Sequence, residues 1–180
     1  MPPSSQQNPG KNIGQGMLIA SFSIGLAALT IFFDAWLGNR SNPNSNPDSL
    51  VTPAGVREVV LQRNPQGHYV SSGEINGVPV TFLLDTGATD VAIPARVAQA
   101  AGLERGYPTQ ATTANGVITV YSTRVDELLL GNIQLHDISA SITPSMPGET
   151  ILLGMSALQQ VEFAQRGSQL TLRYHPGSLN

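Results

Sequence analysis

The chain has 180 residues, 41% of them apolar, which is enough for one ordinary domain with a real core and appendages. Nine basic and 12 acidic residues leave a net charge near −3 with no basic stripe, which argues against nucleic acid as a partner. No cysteine is present, so disulfides, thiolate nucleophiles and Cys-ligated metals are excluded and the redox compartment stays open. Charged residues are sparse at 12%, while Gly (18) and Pro (13) are plentiful, a balance that predicts mostly β structure with tight turns.

Residues 1–16 are rich in Pro, Ser, Gln, Asn and Gly, with Lys11 the only charged side chain, and are expected to be a disordered tail. From Met17 the chain runs without a charge to Phe33, and counting on to Leu37 gives the length that a bilayer core requires. A core helix would show a polar face, and a signal peptide would end in a small-x-small site, so residues 17–37 read as an uncleaved transmembrane helix. Lys11 and Arg40 nearly cancel under the positive-inside rule. A short tail before a single span places the large C-terminal part across the membrane, in a bacterium the periplasm. Residues 38–54, rich in Pro, Asn and Ser, are expected to be an extended linker, and residues 55–176 to be the folded domain.

Within that domain, strand periodicity covers Val56 to Leu61, Gly67 to Ile75 and Val78 to Leu84, with Asn76-Gly77 in the position of a tight hairpin turn. Val91 to Ile93 reads as a short strand and Ala95 to Ala101 as a helix, opened by Pro94 and stopped by Gly102. Thr109 to Ala114 and Val117 to Val125 flank Asn115-Gly116 as a second hairpin, Thr-rich and only partly apolar, as expected of one that projects from the body. Glu127 to Leu130 and Ile133 to Ile142 surround a turn at Gly131-Asn132. Ile151 to Gly154 is an apolar strand ending in Gly, Ser156 to Gln160 a helical turn, and Val161 to Ala164 with Gln169 to Tyr174 a closing hairpin.

The chemistry concentrates in one stretch. The apolar strand Val80 to Leu84 runs straight into Asp85-Thr86-Gly87-Ala88, which sets a carboxylate at the mouth of a hydrophobic core, followed by a residue that hydrogen-bonds and one that frees the backbone. An echo of the same pattern, a Gly-containing turn followed by an apolar strand ending in Gly, spans Gly131 to Gly154, but it carries no acid. His68, His136 and His175 have no ligand-like spacing, so no metal site is expected. No Gly-rich loop opens a helix after a strand, so no nucleotide cofactor is expected, and no serine sits in a Gly-x-Ser-x-Gly setting. Asp90 and Asp126 read as loop or structural acids.

Phe82-Leu83-Leu84-Asp85-Thr86-Gly87-Ala88, the Asn115-Gly116 hairpin and Leu152-Leu153-Gly154 with its following short helix occur in the order seen in retropepsin-type aspartic proteases, which residues 67–174 resemble. The apolar span and the late Leu-Leu-Gly-Met-Ser at Leu152 to Ser156 are similar to a bacterial membrane-anchored group of that family. The resemblance implies a single-lobe acid-protease barrel with one or two short helices. It implies Asp85 as the catalytic acid, Thr86, Gly87 and Ala88 as its loop, Asn115 and Gly116 as a flap over bound peptide, and Leu152, Leu153 and Gly154 as support beneath the acid. Peptide hydrolysis by this route needs two carboxylates sharing one proton. The chain supplies one, so the second is expected from Asp85 of another protomer in a twofold homodimer. The alternative is a retropepsin-like module that binds or scaffolds peptides without turnover.

Overall fold

The structure is a computed structural model and describes residues 9–113 and 116–177. The chain forms two compact units, Met1–Asn39 and Arg40–Asn180.

Among its described residues the first unit is helical, within α1, which runs from Pro9 to Ser41. Its segment Gly14–Gly38 is long and apolar enough to cross a membrane, since 25 residues rise about 37 Å against a hydrocarbon core of about 30 Å. None of this segment is buried. A helix that serves a soluble core hides one face, whereas Leu18, Phe22, Ile24 and Ile31, which point in different directions around the axis, are all exposed. The expected disordered tail of residues 1–16 is corrected from Pro9 onward, where the chain is already helical, and residues 1–8 lie outside the described ones. Pro9 suits a first helical turn, and extending a formed helix adds one hydrogen bond for each residue fixed.

The second unit is mostly β. Four antiparallel strands form one sheet in the order β1-β2-β11-β10: β1 Asp48–Val51, β2 Arg57–Gln62, β10 Glu162–Arg166 and β11 Gln169–Tyr174. The others, β3 Val70–Ile75, β4 Val78–Leu84, β5 Val91–Pro94, β6 Pro108–Thr113, β7 Gly116–Leu130, β8 Ile133–Thr143 and β9 Thr150–Leu153, lie in the order β3-β4-β9-β5-β8-β7-β6. Because β3 also pairs with β7 at Glu74↔Leu129 and Ile75↔Leu128, this sheet closes on itself, with β6 left outside the ring. The result is the expected single-lobe barrel, with the short helices α2 Ala95–Ala100 and α3 Met155–Leu158.

Local chemistry accounts for the closures. Asn76 and Gly77 both have positive φ, 49° and 75°, which is the geometry of a tight primed turn, and they set the register Ile75↔Val78 that carries β4 to the acid. Inside the ring Phe82, Val91, Ile93, Val125, Ile138, Ile142 and Ile151 are fully buried or nearly so. Gly73 lets β3 cross close to this core, because a Cβ there would lie 2.3 Å from Leu129 O and 2.6 Å from the Phe82 ring. The strands expected at Val117 to Val125 and Glu127 to Leu130 are one strand, β7, which at about 3.3 Å per residue extends roughly 50 Å. Asp126 read as a break, yet its side chain is exposed and the pairing continues past it to Glu127↔His136.

The linker expected over residues 38–54 is corrected too. Residues 38–41 end α1, β1 pairs along its whole length with β2, and Asn44 is buried. The Asn44 side chain donates from Nδ2 to Gln62 O (2.9 Å) and Val70 O (2.6 Å), and its Oδ1 accepts from Gln62 N (2.6 Å). Its backbone carbonyl accepts from Ser72 N and Ser71 Oγ. Polarity suggested a segment with nothing to pack, but a primary amide carries both a donor and an acceptor and so bridges two strands as backbone does.

Candidate active site

β4 ends at Leu84, and the next six residues make the turn that presents Asp85. Leu84 N donates to Tyr69 O (3.0 Å) and Asp85 N to Leu153 O (3.1 Å), so the acid enters the turn fixed to β9 on one side and to the residue before β3 on the other. Gly87 N donates to Asp85 Oδ1 at 2.9 Å, and Ala88 N to Asp85 O at 3.2 Å. A carboxylate oxygen that takes a backbone N–H is held in orientation by a charge-assisted bond. Thr86 and Gly87 form the exposed apex of the turn, while Asp85 and Ala88 are half-buried at its base.

The return side of the turn is gripped by the chain around Gly154. β9 runs parallel to β4, with Leu83↔Leu152 and Leu84↔Leu153, and Leu152 also lies opposite Ala92 of β5. Past β9, Met155 N donates to Ala88 O (2.8 Å) and Ser156 N to Thr89 O (2.9 Å). A Cβ on Gly154 would lie 2.2 Å from Asp90 O and 2.7 Å from Ala88 O, so only glycine lets the two segments come this close. Ser156 adds a bridge that the sequence reading assigned no role. Its Oγ donates to Ser139 O (2.7 Å) and accepts from Val91 N (3.0 Å), joining β8, β5 and α3 directly behind the acid loop. A serine opening a short helix after an apolar strand looks like an ordinary cap, and its two long-range partners appear only in three dimensions. The same holds for Tyr69, which contributes a backbone carbonyl whatever its side chain.

The β6–β7 hairpin projects from the barrel, with Val117 62% exposed and all six β6 residues at least partly exposed. Its base is fastened by Gly106 N→Ser122 O (2.7 Å), Ser122 N→Tyr107 O (3.0 Å) and Thr123 Oγ1→Glu104 O (2.8 Å). The expected flap residue Asn115 lies outside the described residues. Gly116, expected in the turn, sits opposite Thr113 and opens β7, with φ of 110° and with its carbonyl accepting from Thr113 Oγ1 (2.8 Å).

Two concavities of about 400 and about 520 Å³ lie elsewhere, one along Val78–Thr81 beside Arg96 and Glu149, the other along Arg63–Gly67, and neither includes Asp85. Among the described residues no group of three or more His, Cys, Asp or Glu is placed to hold a metal ion.

Comparison with known proteins was made on this geometry. Residues 71–160 match the model of the gag-polyprotein putative aspartyl protease family. An uncharacterised protein from the cobV 5′ region of Sinorhizobium sp. is 32% identical over 123 residues, covering 66% of this chain and 53% of its own length. An uncharacterised protein of Rickettsia prowazekii is 30% identical over 112 residues, covering 58% and 46%. The chain therefore spans about half the length of these curated relatives. The crystal structure of a retropepsin-like aspartic protease from Rickettsia conorii superposes with a TM-score of 0.59 at 26% identity, covering 72% of this chain and 96% of that one.

Proposed function

Since the chain belongs to the gag-polyprotein aspartyl protease family and has a retropepsin-like fold, we propose that it is a membrane-anchored aspartic endopeptidase whose site is completed by a second copy. The observation that carries this reading is the acid loop. Asp85 is half-buried at the base of an exposed turn, that turn is fixed by bonds with Tyr69, Leu153, Met155 and Ser156, and the chain holds no second Asp-Thr-Gly.

In the proposed mechanism Asp85 and the partner's Asp85 face each other across a twofold axis and share one proton, because two carboxylates a few ångströms apart cannot both ionise. The ionised member takes a proton from water as the water oxygen attacks the scissile carbonyl carbon. The protonated member donates to the carbonyl oxygen, and collapse of the tetrahedral species then breaks the C–N bond as a proton reaches the leaving amine. Gly87 N–H orients the carboxylate, and the β6–β7 hairpin closes over an extended peptide and excludes water. Hydrolysis by this route uses no metal or organic cofactor.

Gly14–Gly38 would span the bilayer, with Phe33 and Trp36 stacked edge to face at 6.2 Å near its end, where aromatic residues favour the interface. The domain would then lie on the periplasmic side. The test is cleavage of a peptide library by the full chain in detergent, beside Asp85→Asn. Cleavage should fall by about 10³-fold or more. Equal cleavage by the variant removes Asp85 from the mechanism, and a demonstrated dimer that cleaves nothing is a peptide-binding module instead.

A further inference from the structure

β4 outruns β9 at its start. β3 pairs with β4 from Val78 to Leu83, whereas β9 joins it only at Thr81↔Thr150, so Val78 to Val80 have β3 on one side and none of the described strands on the other. The concavity of about 400 Å³ opens at this bare edge. Two bonds fix which backbone groups face it. Leu84 N donates to Tyr69 O, on the β3 side, and Asp85 N to Leu153 O, on the β9 side. Successive residues of a strand turn their N–H and C=O to opposite sides, so the odd-numbered residues from Asp85 back to Pro79 face the β9 side. Pro79 therefore points its carbonyl to the open side and, being proline, offers no N–H beside it. A chain adding there as a further strand would find an acceptor without its donor, and proline at an edge discourages such pairing. What this edge suits is a single donor group.

The side chains around that carbonyl carry charges of both signs. Arg96, in the first turn of α2, and Glu149, the residue before β9, both line the concavity and are both exposed. Among the described residues neither takes part in an ion pair or a side-chain hydrogen bond. Val78 and Val80 of β4, with Val97 and Ala100 of α2, supply an apolar wall. A simple anion would be repelled by Glu149 and a simple cation by Arg96, so the pair selects a ligand that carries both charges.

We propose that this concavity binds a short peptide with both ends free. Its ammonium group sits on Glu149 and the Pro79 carbonyl, its carboxylate on the Arg96 guanidinium, and an apolar side chain lies against the valines and Ala100. An ammonium has three N–H donors, enough for a carboxylate and a carbonyl together, and a guanidinium meets a carboxylate with two parallel donors. Two extended residues span about 7 Å, and about 400 Å³ is within the range of small-ligand pockets. The lining does not include Asp85, and this proposal does not rest on the dyad.

Calorimetric titration of the full chain in detergent with leucyl-leucine should give a Kd of about 0.1–1 mM. N-acetyl-leucyl-leucine lacks the ammonium and leucyl-leucinamide the carboxylate, and each should bind about fivefold more weakly. Glu149→Gln should weaken leucyl-leucine by the same factor and leave N-acetyl-leucyl-leucine unchanged. Arg96→Gln should likewise weaken leucyl-leucine and leave leucyl-leucinamide unchanged. Both side chains are exposed, so neither variant should alter the thermal melt. No binding of leucyl-leucine at millimolar concentration, equal affinity for the doubly blocked N-acetyl-leucyl-leucinamide, or variants that weaken the matching blocked ligand as much as the free one overturns the proposal. Asp85→Asn separates the two claims. Cleavage that survives Asp85→Asn removes the dyad and leaves this site, whereas leucyl-leucine binding lost in Asp85→Asn moves the dipeptide to the acid loop and overturns this site alone.

Discussion

Replacing Gly154 with alanine tests how the acid loop is held. The glycine has φ −88° and ψ −173°, a conformation open to any residue, so the substitution carries no backbone strain of its own and its effect is steric. The added Cβ would stand 2.2 Å from Asp90 O and 2.7 Å from both Ala88 O and the Asp90 carbonyl carbon, all backbone atoms that cannot swing aside. Overpacking of this kind costs about 1–3 kcal/mol. Separating the strands enough to relieve it stretches Met155 N→Ala88 O and Ser156 N→Thr89 O, each contributing about 0.5–1.5 kcal/mol, which brings the total to roughly 2–6 kcal/mol. For a body of this size that lowers Tm by about 10 °C or more. Because the same bonds fix Asp85, a displacement of about 1 Å at the carboxylate should also reduce kcat about 10²-fold. Thermal unfolding of the full chain in detergent, followed by near-ultraviolet circular dichroism, measures the first effect, and peptide cleavage measures the second. Gly87→Ala is the contrast, since a Cβ there meets only Asp85 Oδ1, at 3.2 Å, on an exposed turn, and should leave Tm within about 2 °C. A Gly154→Ala variant with native Tm and native kcat would refute the reasoning.

Two further substitutions probe the supports around the loop. Asn44→Ala leaves Gln62 N, Gln62 O and Val70 O without their amide partner in a buried setting and should cost about 2–4 kcal/mol; Asn44→Asp keeps the acceptor but turns a carboxylate toward two carbonyls, so a thermal melt in which it restores stability would overturn the assignment. Ser156→Ala should cost about 1–3 kcal/mol by orphaning Val91 N, with hydrogen exchange accelerated at Val91 and not at Val59, whose strand it does not touch.

What was legible in the sequence followed local rules. Asn76-Gly77 announced its turn because two positive φ values in succession demand such residues, and alternation marked β4 and β8 almost to the residue. Asp85-Thr86-Gly87 announced an acid at the end of an apolar strand. What was not legible depended on partners distant in sequence. Asn44 in a Pro/Asn/Ser stretch looks like solvated linker until Gln62 and Val70 are brought to it, 18 and 26 residues on. Gly73 looks like an ordinary strand glycine until Leu129 O and the Phe82 ring lie against it. Asp126 looks like a strand break until the facing strand supports pairing on both sides of it. Of the Asn115-Gly116 pair, Gly116 opens β7 opposite Thr113, while Asn115 lies outside the described residues.

The bonds that fix the acid loop bear on what a second copy has to supply. Leu84 N, Asp85 N, Gly87 N, Ala88 N, Ala88 O and Thr89 O all find their partners inside one chain, so the turn does not wait on association to take its shape. A preformed loop loses little conformational freedom when two copies meet, and that saving favours the complex. In the proposed dimer the second chain would contribute a carboxylate and the other wall of a cleft, not the fold of the loop. Confining both chains to one membrane plane by residues 14–38 would raise their effective concentration without any new contact. Damage at Gly154 or Ser156 should therefore lower Tm whatever the protein concentration.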